Sequence, residues 1–338
     1  MFPIPPFLKG VPARRGILGK GEEIPPASGV LPLGKGEVKH MNYLFYIIIF
    51  ILGSAIGSFL NVVICRLETG EGIIKKRSHC VKCGQTLTWY ELIPIISFLC
   101  LRGRCRSCRE KISWQYPLVE IVTGLLFIAV TTSIFPELVE GSKMVLDFTS
   151  FRSNNIIPLF YLLYVTCSLI VIFVYDLRHY IIPDKILFPA IGVALIYQLF
   201  LAFDFASLRS GNNIAQSFSM NLFPELVEGF KIFYPYLLST LGASAFFLAI
   251  ILITRGKGMG LGDAKLAFLM GLVLGWPNIL AALFLAFFMG ATVGVGLIFL
   301  GRKTMKSQIP FGPFLIAGTM IMLFWGQGIL NWYFGLLG

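Results

Sequence analysis

The sequence predicts an all-α polytopic membrane protein of about eight transmembrane helices. Hydrophobic residues make up 56% of the 338 and charged residues only 13%, where a soluble domain carries about a quarter charged residues. The apolar residues arrive in long blocks, without the 3.6-residue period of a half-buried helix or the period of 2 of a strand. Basic residues gather beside alternate blocks, as topology signals do.

Eight blocks come near the roughly 20 residues that cross a hydrocarbon core. They are 43–64, 117–134, 157–175, 185–203, 234–254, 264–276, 278–300 and 311–334. The sixth is short and joins the seventh through Trp276-Pro277-Asn278, a tight turn that makes the two a helical hairpin. The loop 66–116 is placed in the cytoplasm, with sides alternating from there. Eighteen Lys and Arg then flank the cytoplasmic ends, against Lys143, Arg152, Arg209 and Lys231 outside, which obeys the positive-inside rule. The formal net charge of +11 is thus a topology and lipid signal; no basic–aromatic surface suited to nucleic acid is present. The setting expected is a membrane crossed many times.

The domain organisation follows. Residues 1–40 are rich in Pro and Gly and hold a near-repeat, Leu18-Gly19-Lys20-Gly21-Glu22 against Leu33-Gly34-Lys35-Gly36-Glu37. They read as a disordered or non-native extension, with Met41 as an alternative start. Residues 41–66 hold the first span, 67–116 the cytoplasmic loop, and 117–335 a seven-helix core with extracytoplasmic insertions near 135–156 and 204–232. Each insertion carries one copy of Phe-Pro-Glu-Leu-Val-Glu-Gly, at 135–141 and 223–229. Such duplication is tolerated in surface loops, and no catalytic role is given to it.

Of seven cysteines, four form two Cys-x-x-Cys pairs, Cys80/Cys83 and Cys105/Cys108, with 21 residues between them. Each pair lets two thiolates reach one ion from a tight turn, and two pairs complete a closed tetrahedral cage of the structural zinc type. Disulfides would need an oxidising compartment, and the charge asymmetry puts this loop in the reducing cytoplasm. Cys65, Cys100 and Cys167 read as packed apolar thiols.

Two aspartates stand out. Asp176 closes the apolar run 169–175 at the cytoplasmic end of the third span, where a carboxylate opposes the helix dipole and lies near hydrocarbon. Read alone, it is an interfacial charge paired with Arg178. Asp263, in Gly260-Leu261-Gly262-Asp263, reads alone as a helix N-cap, as does Asp184 after Pro183. Taken together, Asp176 and Asp263 sit on oppositely directed spans yet on one membrane face. Two carboxylates brought close share a proton, and such a dyad can deprotonate water while protonating a peptide carbonyl.

These residues resemble the type IV prepilin peptidase family, GxGD aspartyl proteases that are leader peptidase and N-methyltransferase in one chain. Gly57-Ser58-Phe59-Leu60-Asn61-Val62-Val63 with Arg66-Leu67 is similar to the family's opening signature, with Glu68 where a proline is usual. The stretch 78–124 is similar almost throughout, including both cysteine pairs, Trp89-Tyr90-Glu91, Pro94, Arg102-Gly103-Arg104 and Tyr116-Pro117-Leu118-Val119-Glu120. Asp176-Leu177 leading to Ile182-Pro183-Asp184 resembles the first aspartate motif, and 258–266 the second. The resemblance implies catalysis by Asp176 and Asp263 on prepilins and type II secretion pseudopilins, cut after a glycine that follows a basic leader. It also implies methylation of the new N-terminus from S-adenosylmethionine, while Cys80, Cys83, Cys105 and Cys108 hold structural Zn2+. A transporter, or a membrane assembly factor with a structural zinc module, is the competing class, since intramembrane carboxylates also mark ion pathways.

Overall fold

The computed structural model describes residues 35–69, 77–135, 153–209, 222–256, 259–301 and 310–337. Nine α-helices are described: α1 Lys35–Thr69, α2 Ile96–Cys100, α3 Gln115–Ile134, α4 Ser153–His179, α5 Asp184–Arg209, α6 Leu222–Ile253, α7 Leu261–Leu274, α8 Asn278–Phe299 and α9 Gly312–Leu337. A 3-10 turn, Trp89–Leu92, and two isolated β-bridges fall between α1 and α3. All helices except α2 and α7 are long and apolar enough to cross a bilayer, giving seven candidate spans among the described residues. The chain is therefore an all-α, multi-pass membrane protein.

The block at 264–276 becomes α7, 14 residues long and outside those seven. Its composition explains how a short helix can persist here. Beyond Lys265 it is apolar on all sides, the signature of a helix enclosed by protein, and Leu266, Leu269, Met270 and Leu272 are fully buried. It packs on α5, α6, α8 and α9, so it need not match the thickness of lipid. Polar side chains from its neighbours fix it further. Gln198 Nε2 on α5 donates to the Leu272 carbonyl at 2.7 Å, and Ser239 Oγ on α6 donates to that of Gly271 at 3.1 Å. Hydrogen bonds of this kind hold helices together where hydrocarbon offers no competing partner.

A second unit of packing joins α1 to α3 and both to α4. Gly53 and Gly57 stand four apart on α1, so they share a face. A Cβ at Gly53 would lie 2.8 Å from the Gly124 Cα, and one at Gly57 2.8 Å from the Glu120 Cα. The bare glycine surface thus lets the two backbones touch, as small-x-x-x-small stripes do in membranes.

The chain between α5 and α6 differs from the expected loop at 204–232: α5 continues to Arg209 and α6 begins at Leu222. The second Phe-Pro-Glu-Leu-Val-Glu-Gly copy therefore opens a helix. The first copy beyond Phe135 lies outside the described residues, as do 1–34; residues 35–40 continue α1.

Candidate active site and metal centre

The chain after α4 turns sharply. Tyr180 takes a left-handed φ of 58°, and its N–H donates to the Asp176 carbonyl at 2.9 Å, which terminates the helix. Ile181 is then exposed while Ile182 turns inward and is buried. Pro183 follows, and α5 begins at Asp184.

Ile182 is the hub of the site. Its side chain is 3.2 Å from the position of a Cβ at Gly262, two residues into α7, and 3.5 Å from that of one at Gly312, the first residue of α9. Asp176 Oδ2 occupies the remaining space beside Gly312, where a Cβ would overlap it. The first residue of α9 thus lies directly against the Asp176 carboxylate, and Asp263 is near enough to act on that carboxylate electrostatically. Both aspartates are thus gathered where the C-terminus of α4 meets the N-termini of α5, α7 and α9. Asp176 is only 4% exposed.

The plain readings of these residues fare differently. Arg178 does not pair with Asp176; it pairs with Glu68 of α1 at 3.1 Å, with His179 Nε2 3.8 Å from the same oxygen. Gly260, not Asp263, is the N-cap of α7. Asp263 lies in the first turn, its N–H donating to the Gly260 carbonyl at 3.2 Å, and its carboxylate faces the positive end of the helix dipole. Asp184 reaches across to Lys265, its two oxygens 2.8 and 2.9 Å from Nζ, and so ties α5 to α7 beside the aspartates. Gly312 is the residue that sequence reasoning missed. Pro310-Phe311-Gly312-Pro313 signals a helix start, but nothing local announces contact with a residue 136 positions earlier.

The Glu68–Arg178 pair puts the α1–α3 connection at the same end of the bundle as the aspartates. That connection is built from two matching knuckles. In the first, Gly84 N–H donates to the Cys80 carbonyl and Cys80 N–H to that of Gln85, both at 2.9 Å. In the second, Arg109 N–H donates to the Cys105 carbonyl at 3.0 Å and Cys105 N–H to that of Glu110 at 2.8 Å. The bridges His79–Thr86 and Arg104–Lys111 flank them. The residue after each second cysteine is left-handed, with φ of 70° at Gly84 and 57° at Arg109. The two folds bring the sulfurs of Cys80, Cys83, Cys105 and Cys108 within 4.8 Å of one another, a group that could hold a metal ion. A tetrahedral ion with bonds of about 2.3 Å needs sulfurs roughly 3.8 Å apart; Cys80 and Cys108 already stand at 3.9 Å. Amide N–H groups of Cys108 and Ser107 draw the Cys105 thiol down to about 7, while burial and the neighbouring sulfurs push the Cys108 thiol up to about 11, the mutual opposition expected of thiols crowded into one cluster.

The remaining cysteines separate. Cys65 and Cys167 are half-buried, with Cys65 Sγ 3.1 Å from the Tyr116 hydroxyl, but Cys100 is exposed and not packed as expected. It ends the five-residue helix α2, too short to hide both its faces.

Comparison with known proteins assigns both regions. Residues 51–134 match the Bacterial Peptidase A24 N-terminal domain, and residues 163–295 match the Type IV leader peptidase family. The prepilin leader peptidase/N-methyltransferase of Aeromonas hydrophila is 30% identical over 322 residues, covering 88% of this chain and 97% of its own. That of Bacillus subtilis (strain 168) is 32% identical over 286 residues, covering 85% and 96%. That of Myxococcus xanthus (strain DK1622) is 34% identical over 261 residues, covering 75% and 63%. No solved structure matches the chain. The first matched stretch contains the four-cysteine cluster and the second contains both gathered aspartates, so the chain belongs to the type IV leader peptidase family.

Proposed function

We propose that this chain is a prepilin leader peptidase and N-methyltransferase whose hydrolytic dyad is Asp176 and Asp263. The observation that carries the reading is that Ile182 borders both Gly312, against which the Asp176 carboxylate lies, and Gly262, the residue next to Asp263. With one proton between them, one carboxylate takes a proton from water as it attacks the scissile carbonyl. The other donates to the carbonyl oxygen, and the proton then passes to the departing amine. Gly312 packs against the Asp176 carboxylate, and the N-terminus of α7 suits the Asp263 charge.

The substrates in this reading are type IV prepilins and type II secretion pseudopilins, cut after a glycine between a basic leader and an apolar helix. The setting is the bacterial inner membrane with the dyad at its cytoplasmic face, a placement supported by the basic residues beside that end of the helices. Counting α7 as a crossing gives eight passes. Residues 67–116 then form the zinc loop and 117–335 the peptidase core. The spacing of Cys80, Cys83, Cys105 and Cys108 fits Zn2+; four thiolates leave no open position, so the ion would hold the loop's shape and not activate water. Methyl transfer from S-adenosylmethionine comes from kinship with the named relatives, and no described side chain is assigned to it.

The test is cleavage of a synthetic prepilin by purified protein, comparing wild type with Asp176→Asn and Asp263→Asn. Both variants, folded and metal-loaded, should fall to background while wild type cuts after the glycine. Normal cleavage by either variant removes that residue from the dyad.

A further inference from the structure

The segment between the two knuckles holds a feature that neither hydrolysis nor metal binding uses. Ile95 N–H donates to Glu120 Oε2 at 2.8 Å. Glu120 is buried and lies five residues beyond Gln115, where α3 begins; its side chain leans back towards the helix N-terminus, so Ile95 is held level with the first turns of α3, at the bilayer's edge. Ile95 has a φ of 62°, a costly conformation for a β-branched residue that survives only where its surroundings enforce it. The chain is therefore pulled down beside α3 and held there against its own backbone preference.

What it presents at that depth is apolar. Phe98 of α2 is buried against Gly103 and Trp114, while Ile96 and Leu99, three apart on the other side, are 58% and 64% exposed. Leu92 is exposed as well. On α3, Leu118, Ile121 and Leu125 are exposed at the same end of the helix and below it, which is the surface that lipid covers. Directly after the dip, residues 101–111 carry Arg102, Arg104, Arg106, Arg109 and Lys111 against one acidic residue, Glu110. Arg106 is engaged with Tyr90, while the other four are exposed.

We propose that the 92–100 segment is a re-entrant strip inserted into the lipid interface, with Arg102, Arg104, Arg109 and Lys111 against anionic phospholipid headgroups. The depth of Ile95, the outward apolar pair and the basic run after it match the layering of a leaflet, apolar below and anionic above. The strip would seat the four-cysteine module on the bilayer surface beside the aspartates. This inference rests on the membrane character of the chain and not on the peptidase assignment.

The full chain, in nanodiscs of mixed zwitterionic and anionic phospholipid, tests it with a benzophenone amino acid in place of Leu99, and separately in place of Leu125. Leu99 is exposed, so the probe perturbs no packing, and retained metal reports a folded module. Illumination should give phospholipid adducts at both positions by intact mass. At Leu99 the anionic lipid should be enriched about fivefold over its share of the bilayer, and Arg102→Glu with Arg104→Glu should abolish that enrichment. Adducts at Leu125 but none at Leu99 would place the strip in water and overturn the proposal. A crosslink from Leu99 to a second copy would overturn it too, and adducts without enrichment would overturn the assignment to anionic headgroups.

Discussion

Gly312→Ala puts a methyl group where Asp176 Oδ2 now sits. The methyl cannot swing away, because a Cβ is fixed by the backbone of α9. On its other side lies Ile182, so the carboxylate must be the group that yields. Restoring normal contact needs a shift of about 1 Å, and misplacement on that scale costs on the order of 100-fold in rate. That corresponds to roughly 2.7 kcal/mol of lost transition-state stabilisation. The loss should fall on kcat and leave KM near the wild-type value, since the methyl meets a carboxylate of the proposed dyad and not the prepilin helix. Gly328→Ala is the matched control: it adds the same methyl to the same helix, where nothing lies within 4 Å. Initial rates over a range of prepilin concentrations, with wild type, Gly312→Ala and Gly328→Ala side by side, make the measurement. A Gly312→Ala enzyme within threefold of wild type, or a Gly328→Ala enzyme as impaired as it, would refute the argument that Gly312 shapes the site.

Three smaller expectations follow from the same geometry. Gly84 has open space around it but a φ of 70°, so Gly84→Ala should weaken the metal module only through its backbone, by about 1 kcal/mol; competition with a chelator reads it, and Arg109→Gly in the twin knuckle should shift the same titration the other way. Cys105→Ser should abolish metal retention while leaving thermal unfolding of the helical core in place, with cleavage and methylation assayed separately and reduced unequally. Glu68→Ala removes a half-exposed pair with Arg178 and should change stability by less than about 1 kcal/mol, with prepilin cleavage at the wild-type rate.

What could be read from the chain depended on whether the signal was local. The long apolar blocks and the two Cys-x-x-Cys turns are local patterns, and each appears in the structure as a helix or a knuckle. The aspartates were conspicuous for the same reason, a carboxylate at the end of an apolar run. Their partners were not. Arg178 is the nearest cation to Asp176 in sequence, yet its ion pair is with Glu68, because a residue two places on along a helix faces elsewhere. Gly312 and Ile182 act through contacts across helices, which no single-chain pattern encodes. The Gly53–Gly57 stripe is the intermediate case: its spacing is visible in the sequence, but its partner, Gly124, is known only from packing. The helical start of α6 at Leu222 was obscured by Phe223-Pro224, which reads as a turn until the acidic residues behind it are counted.

The short α7 has a consequence for how hydrolysis can occur within a membrane. It leaves the Gly275–Pro277 turn alongside α8, and the two helices have 14 and 22 residues. At ~1.5 Å per residue, α7 is roughly 12 Å shorter than α8. Asp263 stands in the first turn of α7, at the end away from that turn into α8. In the proposed reading, the backbone entering α7 through Met259 and Gly260 lies below the level at which α8 leaves the bilayer. Irregular backbone at such depth persists only where protein buries it or a watery cavity borders it, because its N–H and C=O groups otherwise lack partners. A full-length helix here would carry Asp263 out to the headgroups, and a site open to bulk water would gain no shelter for a shared proton. In the proposed reading the truncated helix would instead open a notch at the membrane's edge, deep enough to set the dyad beside an apolar substrate helix and shallow enough for water to follow.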